Sequence, residues 1–463
     1  MERPDYRGLM AELATEYRRH APASAALNES AVKYLVDGGS HSLRLLQPFP
    51  PRVVSARGAW VVDEDGHRIL DFWQGHFANI LGHNPEIVTD VLARAFGQGF
   101  GLQGGFTDRL EVEAARIICE RTGSERVRFT TSGSLATMYA VMLARAFTAR
   151  ELVLKVRGGW HGAQPWGLKG VSYHDGFDRI ESAGIPAAVA EGIVLAGFND
   201  LDSLHDVFHA HGSKLACFIV EPVIGAAGMM PATREYLRAA RELTQEHGVV
   251  LILDEVISAF RFRAGDVGAL YQVRPDLVVL GKAIGGGMPV AAVAGRADIL
   301  DLVGRAREHA VKFSGGTFSA HPASLLAGKT FLSYLVEHED EVYPQMAEVA
   351  REARRSVTEA FAEEGMDARF AGDGNDALES NSLHMLRFPR ERGRRLDTPE
   401  EVYDPAICDV VLSDHVLPLA LLLEDVYTVH GLGSTTAVHT RADIAFLAEA
   451  CRRAARRVKP YVQ

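Results

Sequence analysis

The sequence predicts an α/β protein: a mainly parallel sheet covered by helices, followed by a smaller domain toward the C-terminus. Three observations carry that expectation. Between about residues 110 and 300, short apolar stretches alternate with stretches of helical periodicity, the pattern a wound parallel sheet produces. Those apolar stretches have no polar face, as expected of strands buried on both sides. Beyond Pro322 the chain turns helical through roughly 324–364, then runs into the charged segment PRERGRRLDTPEE at 389–401.

Taken in order, the elements begin with residues 1–27, where charges alternate with apolar residues at helical spacing, predicting a helix that docks on the body of the protein. Residues 52–72 read as two strands joined in a hairpin around Asp63-Glu64-Asp65-Gly66, because Asp and Gly supply a tight turn between apolar stretches. Strands are then expected at 126–131, 151–156, 215–220, 249–255 and 276–281, with helices at 134–148 and 233–247. The charged run at 389–401 reads as a solvated loop, and no internal repeat or low-complexity segment is present.

Composition excludes several kinds of partner. A chain of 463 residues, 47% hydrophobic and 24% charged, buries a large core. Its formal charge of -11 argues against nucleic acid, whose binding draws on Lys and Arg. The longest apolar runs, 249–253 and 416–423, are far shorter than the ~20 residues that span a bilayer. The N-terminus lacks the apolar stretch of a secretory signal, so a cytoplasmic protein acting on small molecules is expected. Cys119, Cys217, Cys408 and Cys451 are scattered without metal-ligand spacing and read as packing residues in a reducing compartment.

Ligands of such sheets bind outside the carboxyl ends of the strands, so chemistry is sought there. The strand VVLILDEV ends in Asp254 and Glu255, and the next, PDLVVLGKAIGGG, ends in Lys282. Neighbouring strands thus offer a carboxylate and an amine at one edge, either as a salt bridge or as a cofactor site. A nucleophilic lysine must lose its proton, and at an ordinary pKa of about 10.4 only about one in 2,000 is neutral at pH 7. Burial beside other cations corrects that. At Thr131-Ser132-Gly133-Ser134 a strand meets a helix, and free N–H groups there suit a phosphate as well as an ordinary cap. Trp160 and His161 follow a strand between glycines, where an aromatic ring can lie on a planar cofactor or simply fill the core. The loop FSGGTFSAHPAS at 313–324 is rich in donors for an anion.

Together and in this order, ARGAWVVDEDGHRILDF, ILGHNPEIV, TTSGSLATM, KVRGGWHG, VEPVIGAAGMMP, ILDEVISAFR, LGKAIGGGMPVAAVAG and GGTFSAHP resemble the class III aminotransferases, of fold type I among pyridoxal-phosphate enzymes. The branch most similar is that of glutamate-1-semialdehyde aminomutase and the β-amino acid aminotransferases. The resemblance implies a large cofactor-binding domain at 76–325, and a small α+β domain built from both chain ends, residues 1–75 and 326–463. It implies a homodimer with active sites at the subunit interface. The cofactor would be pyridoxal 5'-phosphate, held as a Schiff base by Lys282, with Asp254 pairing with the ring nitrogen. Ser132, Gly133 and Ser134 would cradle the phosphate, and Thr317 would reach the phosphate of the partner subunit's cofactor. Trp160, where the family usually has Tyr, would stack on the ring opposite Val256; His161 and Gly162 complete that motif, and Glu221 heads the turn beneath.

Two departures mark the chain. Leu135 stands where the family usually has Glu, which removes a polar contact near the cofactor. Relatives hold a substrate carboxylate with arginine, whereas here the matching segments offer His41 and Arg44, and His430; Arg44 could serve, a histidine would be a weaker, pH-dependent anchor, or the substrate is an amine without a carboxylate nearby. Aminotransferase and aminomutase share every catalytic residue named. They differ in a gating loop expected within 164–190, and aminotransferase is the expectation. Two readings from other classes compete. A zinc hydrolase would use His205 and His209 with a third ligand, and a non-catalytic protein would bind the cofactor without turnover. GKAIGGG lacks the Ser/Thr and spaced glycine of a P-loop, and GGGMPVAAVAG fails the dinucleotide pattern.

Overall fold

The computed structural model describes residues 4–304, 311–378 and 381–462, so the first three residues of the expected docking helix lie outside it. Its centre is a seven-stranded sheet in the order Arg126–Thr130, Ala291–Gly295, Leu277–Leu280, Val250–Asp254, Leu215–Val220, Leu152–Val156, Ile193–Ala196. Six strands run parallel; Ala291–Gly295 runs antiparallel to both its neighbours. Val250–Asp254 and Leu215–Val220 are buried at every residue, which is why they read as unbroken apolar runs. Two strands of this sheet escape the sequence reading. Ile193–Ala196 is four residues at the sheet edge, and Ala291–Gly295 is mostly alanine, a residue that gives no strand signal.

Helix Gly133–Thr148 covers one face of this sheet with a mostly small-residue side of Ala136, Thr137, Ala140 and Ala144, which lets its backbone come close. Helix Arg234–Glu246 covers the other through Tyr236, Leu237 and Ala240. Residues 322–363 form two helices, Pro322–Glu337 and Glu339–Glu363, broken at His338.

Both chain ends share a separate core. The N-terminal helix Arg7–His20 buries Leu9, Leu13 and Tyr17, four residues apart and so on one face, among Leu419, Leu447 and Ala450. Full burial of such side chains stabilises by about 1.5–3 kcal/mol each. The expected hairpin at 52–72 is instead a three-stranded meander, Val53–Arg57, Trp60–Asp63 and Arg68–Asp71. Gly58 at φ 61° turns the chain once more than the Asp-rich turn alone would. Val426–Tyr427, from the far end of the sequence, pairs parallel with the last of these strands and ties the two ends together. No helix among the described residues is long and apolar enough to cross a membrane.

Candidate active site

Every strand that runs with the parallel direction of the central sheet, except the edge strand Ile193–Ala196, hands a side chain to one cavity at the carboxyl edge. Register does this. Asp254 pairs with Val279, and Leu280 and Thr130 flank neighbouring residues of Ala291–Gly295. The strand ends therefore lie level, and Ser132, Lys282, Glu221 and Trp160 follow within a few residues of them. The cavity, about 550 Å³, is lined by these residues and by Gly133, Ser134, His161, Asp254 and Val256. All the residues expected to hold a cofactor except Thr317 thus face one space. Thr317 lines a separate surface cavity of about 270 Å³ with Gly105, Phe106 and Arg128.

Asp254 is buried, and its contacts are unusual for a carboxylate. Oδ2 lies 2.8 Å from His161 Nδ1, and Oδ1 accepts the N–H of Val256 at 3.2 Å. Burial lowers the His161 pKa, against the pull of Asp254. A neutral ring has one N–H, and the carboxylate can only accept, so that proton is assigned to Nδ1. His161 Nε2 is buried without a partner among the described residues. Glu255, the second acid of the strand, points the other way and accepts the N–H groups of Val267 and Gly268 at 2.6 and 3.0 Å. Lys282 sits on left-handed backbone at φ 46°. Burial pushes its amine down to about 8, Asp254 and Glu221 oppose this, and the buried guanidinium of Arg261 adds to it. Glu221 accepts the N–H of Trp160 at 3.0 Å and of Gly225 at 3.2 Å. Burial and the charge of Asp254 raise its pKa.

The helix Gly133–Thr148 begins with Ser132 as N-cap, its Oγ accepting Leu135 N–H at 3.4 Å. Helix geometry leaves the first N–H groups without partners inside the helix, facing the cavity that Gly133 and Ser134 line. Gln164 ties this turn to the Trp160 segment: its Nε2 donates to Ser134 O, Thr137 Oγ1 and His161 O at 3.0, 2.6 and 3.1 Å. Gly162, at φ 92°, is required, because a Cβ there would meet Ser134 Cβ at 2.6 Å. Val256 packs between Gly133 and Gly281, where added Cβ atoms would lie 3.0 and 3.2 Å from its methyls.

A second cavity, about 380 Å³, shares Lys282, Trp160, His76 and Ile257 with the first. His41 and His430 line it; Arg44, exposed on the short turn Ser42–Arg44, does not. Sequence reasoning missed His76 here. It sits in a left-handed turn, Gln74–Phe77, whose four φ angles are 48, 62, 61 and 68°. Only Gly75 adopts that backbone freely; each other residue costs roughly 1–2 kcal/mol. Asp71 pins the head of the turn, accepting the N–H groups of Trp73 and Gln74 at 2.7 and 2.9 Å, while Arg261 donates to the carbonyl of Phe77 at its tail. Such strain persists only where its surroundings over-determine it. Nothing periodic in WQGHFAN signals such a turn.

Among the described residues no group of three or more His, Cys, Asp or Glu could hold a metal, and His205 and His209 are exposed on helix Leu201–His211. A family model described as aminotransferase class-III matches residues 46–368. The chain is 36% identical over 349 residues to the glutamate-1-semialdehyde 2,1-aminomutase of Acidobacterium capsulatum, covering 74% of this chain and 80% of that one. An omega-transaminase from Sphaerobacter thermophilus superposes with a TM-score of 0.84 at 28% identity, over 94% of this chain and 98% of that one. A transaminase solved with PLP bound gives 0.81 at 29% identity, over 95% and 99%.

Proposed function

The chain belongs to the class III aminotransferase family, and from that membership we propose that it moves an amino group between an amine or amino acid and a keto acid or aldehyde, with pyridoxal 5'-phosphate in the strand-end cavity. The observation that carries this is the convergence of Lys282, Asp254 and the N-terminus of helix Gly133–Thr148 on that one cavity. The residues fit the cofactor. Among the described residues the buried Asp254 carboxylate has hydrogen bonds from a neutral imidazole and one N–H but no cation paired with it directly, as its burial calls for, and a protonated ring nitrogen would supply one. The helix N-terminus and the hydroxyls of Ser132 and Ser134 suit a phosphate.

When bound, the cofactor supplies an electron sink for the carbon that loses its proton. The protein's own groups do the rest. Lys282 is the covalent anchor and, once released, the base that takes the proton from the substrate carbon and returns it. At a pKa near 8, about a tenth of its amine is free at pH 7, some two hundred times the fraction of an ordinary lysine. His161 holds Asp254 in place, and Glu221 holds the peptide of Trp160, whose ring would cover one face of the cofactor while Val256 supports the other.

Thr317 and the exposed Leu102, Phe106 and Phe318 support a homodimer in which Thr317 reaches the partner's cofactor. The division at residues 75 and 325 belongs to the same reading. Intramolecular amino transfer of the aminomutase kind is the second reading, supported by the aminomutase relative.

The test is a half-reaction. Protein loaded with pyridoxal phosphate is mixed with single amines, α-amino acids and β-amino acids while its visible absorption is followed, and hydride reduction maps the cofactor to one lysine. Bleaching by one donor class, reversal by a keto acid and a label on Lys282 are the expected results. Isomerisation of glutamate-1-semialdehyde with no free donor accepted would establish the second reading, and a label elsewhere would refute the role of Lys282.

A further inference from the structure

The second cavity carries an inference about the donor. Its walls are aromatic and aliphatic: Phe77, Val171, Tyr173, Phe177 and Tyr403, with Trp160 at the boundary to the first cavity. Its polar side chains are His41, His76, His430, Ser42 and Ser172, together with the hydroxyls of the two tyrosines. Among the described residues that line it there is no carboxylate and no guanidinium, and the one ordinarily charged group is Lys282, which the reading above commits to the cofactor.

The imidazoles do not replace the missing charge. Burial is the first cause that lowers the pKa of all three, His76 to about 2 and His430 to about 4; Lys282 adds to this throughout, and Arg44 at His41 and His76. At His430 Asp414 opposes the fall and Arg387 adds to it. His41 and His76 meet edge to face with centroids 5.3 Å apart, and His76 packs against Phe77 at 5.6 Å. The rings are therefore held as neutral members of an aromatic wall that keeps hydrogen-bonding atoms.

A carboxylate entering this space would lose its water and find, among the described lining residues, no guanidinium to pair with and only the one amine that the cofactor takes up, a cost that neutral donors do not repay. A flat uncharged group would trade water for ring contacts on several sides. Resting on the amino-transfer reading, we infer that the second cavity is the specificity pocket for the donor: it receives an uncharged aromatic or bulky aliphatic group on the carbon that bears the amine, and rejects a carboxylate there. His76, fixed between the cavities by the strained turn, and His41 on its outer wall set that selection.

Matched donors that differ only in this group test the inference. In 1-phenylethylamine and alanine, phenyl and carboxylate exchange places on one carbon, as they do in 3-amino-3-phenylpropanoate and aspartate. The loaded enzyme should convert the phenyl member of at least one pair with a kcat/KM at least tenfold that of its partner; a smaller ratio in both pairs overturns the inference. The non-reacting alcohols 1-phenylethanol and lactate, titrated calorimetrically, should show the same tenfold order in Kd, and equal binding overturns it too. His41 has extended backbone, φ -146°, so His41→Arg meets no backbone penalty. It should raise kcat/KM for alanine or aspartate at least tenfold and lower it for the phenyl donors; a folded variant with an unchanged ratio counts against the inference. An enzyme that carries the cofactor on Lys282 yet converts none of the four donors overturns this inference alone, whereas one that never takes up the cofactor overturns the amino-transfer reading beneath it.

Discussion

The two cavities that meet at Lys282 are built from different kinds of chain. The first stands on the ends of parallel strands, and its polar groups are tied to one another: Asp254 to His161, Glu221 to the Trp160 and Gly225 peptides, Gln164 to three acceptors. The second is walled mainly by short turns and loops, 41–43, 76–77 and 171–177, one of them strained, and by Tyr403 at the end of helix Pro399–Tyr403. Groups that must act on a reacting atom sit on the stiff sheet, where a shift of an ångström would be costly. Groups that only select sit on loops, which can change without disturbing the sheet.

Substitutions should therefore divide by cavity. The largest effect belongs to Lys282→Ala, which should abolish the reducible cofactor linkage and cut kcat/KM by about four orders of magnitude. Retained turnover would move the chemistry off the strand ends. Asp254→Asn should keep the fold and the linkage but lose roughly a hundred- to a thousandfold in kcat, visible in single-turnover kinetics with any accepted donor.

His161→Phe leaves Asp254 short of a donor. An unmade buried hydrogen bond of about 1–3 kcal/mol corresponds to roughly a ten- to hundredfold fall in kcat. It should shift the pH profile, and His161→Gln, which keeps a donor, should restore part of the loss. A change in KM alone would put His161 with the selecting cavity instead.

The smallest effect is on stability. Lys155 is buried and, among the described residues, has no carboxylate bonded to it; it donates to the carbonyls of Gly167 and Lys169 at 3.0 and 2.8 Å, and burial pushes its amine down to about 7, against Glu221 and Glu181. Its folded pKa lies below the unfolded value of about 10.4, so between those limits the unfolded chain binds more protons and stability rises with pH. Lys155→Met should flatten that rise by about 2–3 kcal/mol, read as denaturant midpoints at pH 7 and 9.5. An unchanged slope would mean that the amine is neutral in neither state or both.

The division between the cavities also decides what could be read from the chain alone. Lys282 and Asp254 announce themselves because one follows and the other ends an apolar strand, and Ser132 because a strand there gives way to a helix, signals of period and composition. His76 does not, since a left-handed turn leaves no periodic trace and its staples, Asp71 and Arg261, are distant in sequence. His41 and His430 could be nominated from the motif they replace, but whether Arg44 faces the same space depends on how one short turn is seated. The missed strand Ala291–Gly295 is legible only through its neighbours, whose pairing overrides the weak preference of alanine.

His76 and His430 both occupy left-handed backbone, at φ 61 and 56°. Besides glycine, the residues that tolerate that conformation best are Asn, Asp and His, and Asn and Asp each lie one base change from either histidine codon. The inexpensive mutational routes out of this pocket thus lead to a shorter amide or to an anion, and hardly ever to a fixed cation. Lineages drifting at these two positions would widen the pocket or tune it toward amines with a second positive charge, while recruitment of an acidic donor would have to begin at residue 41.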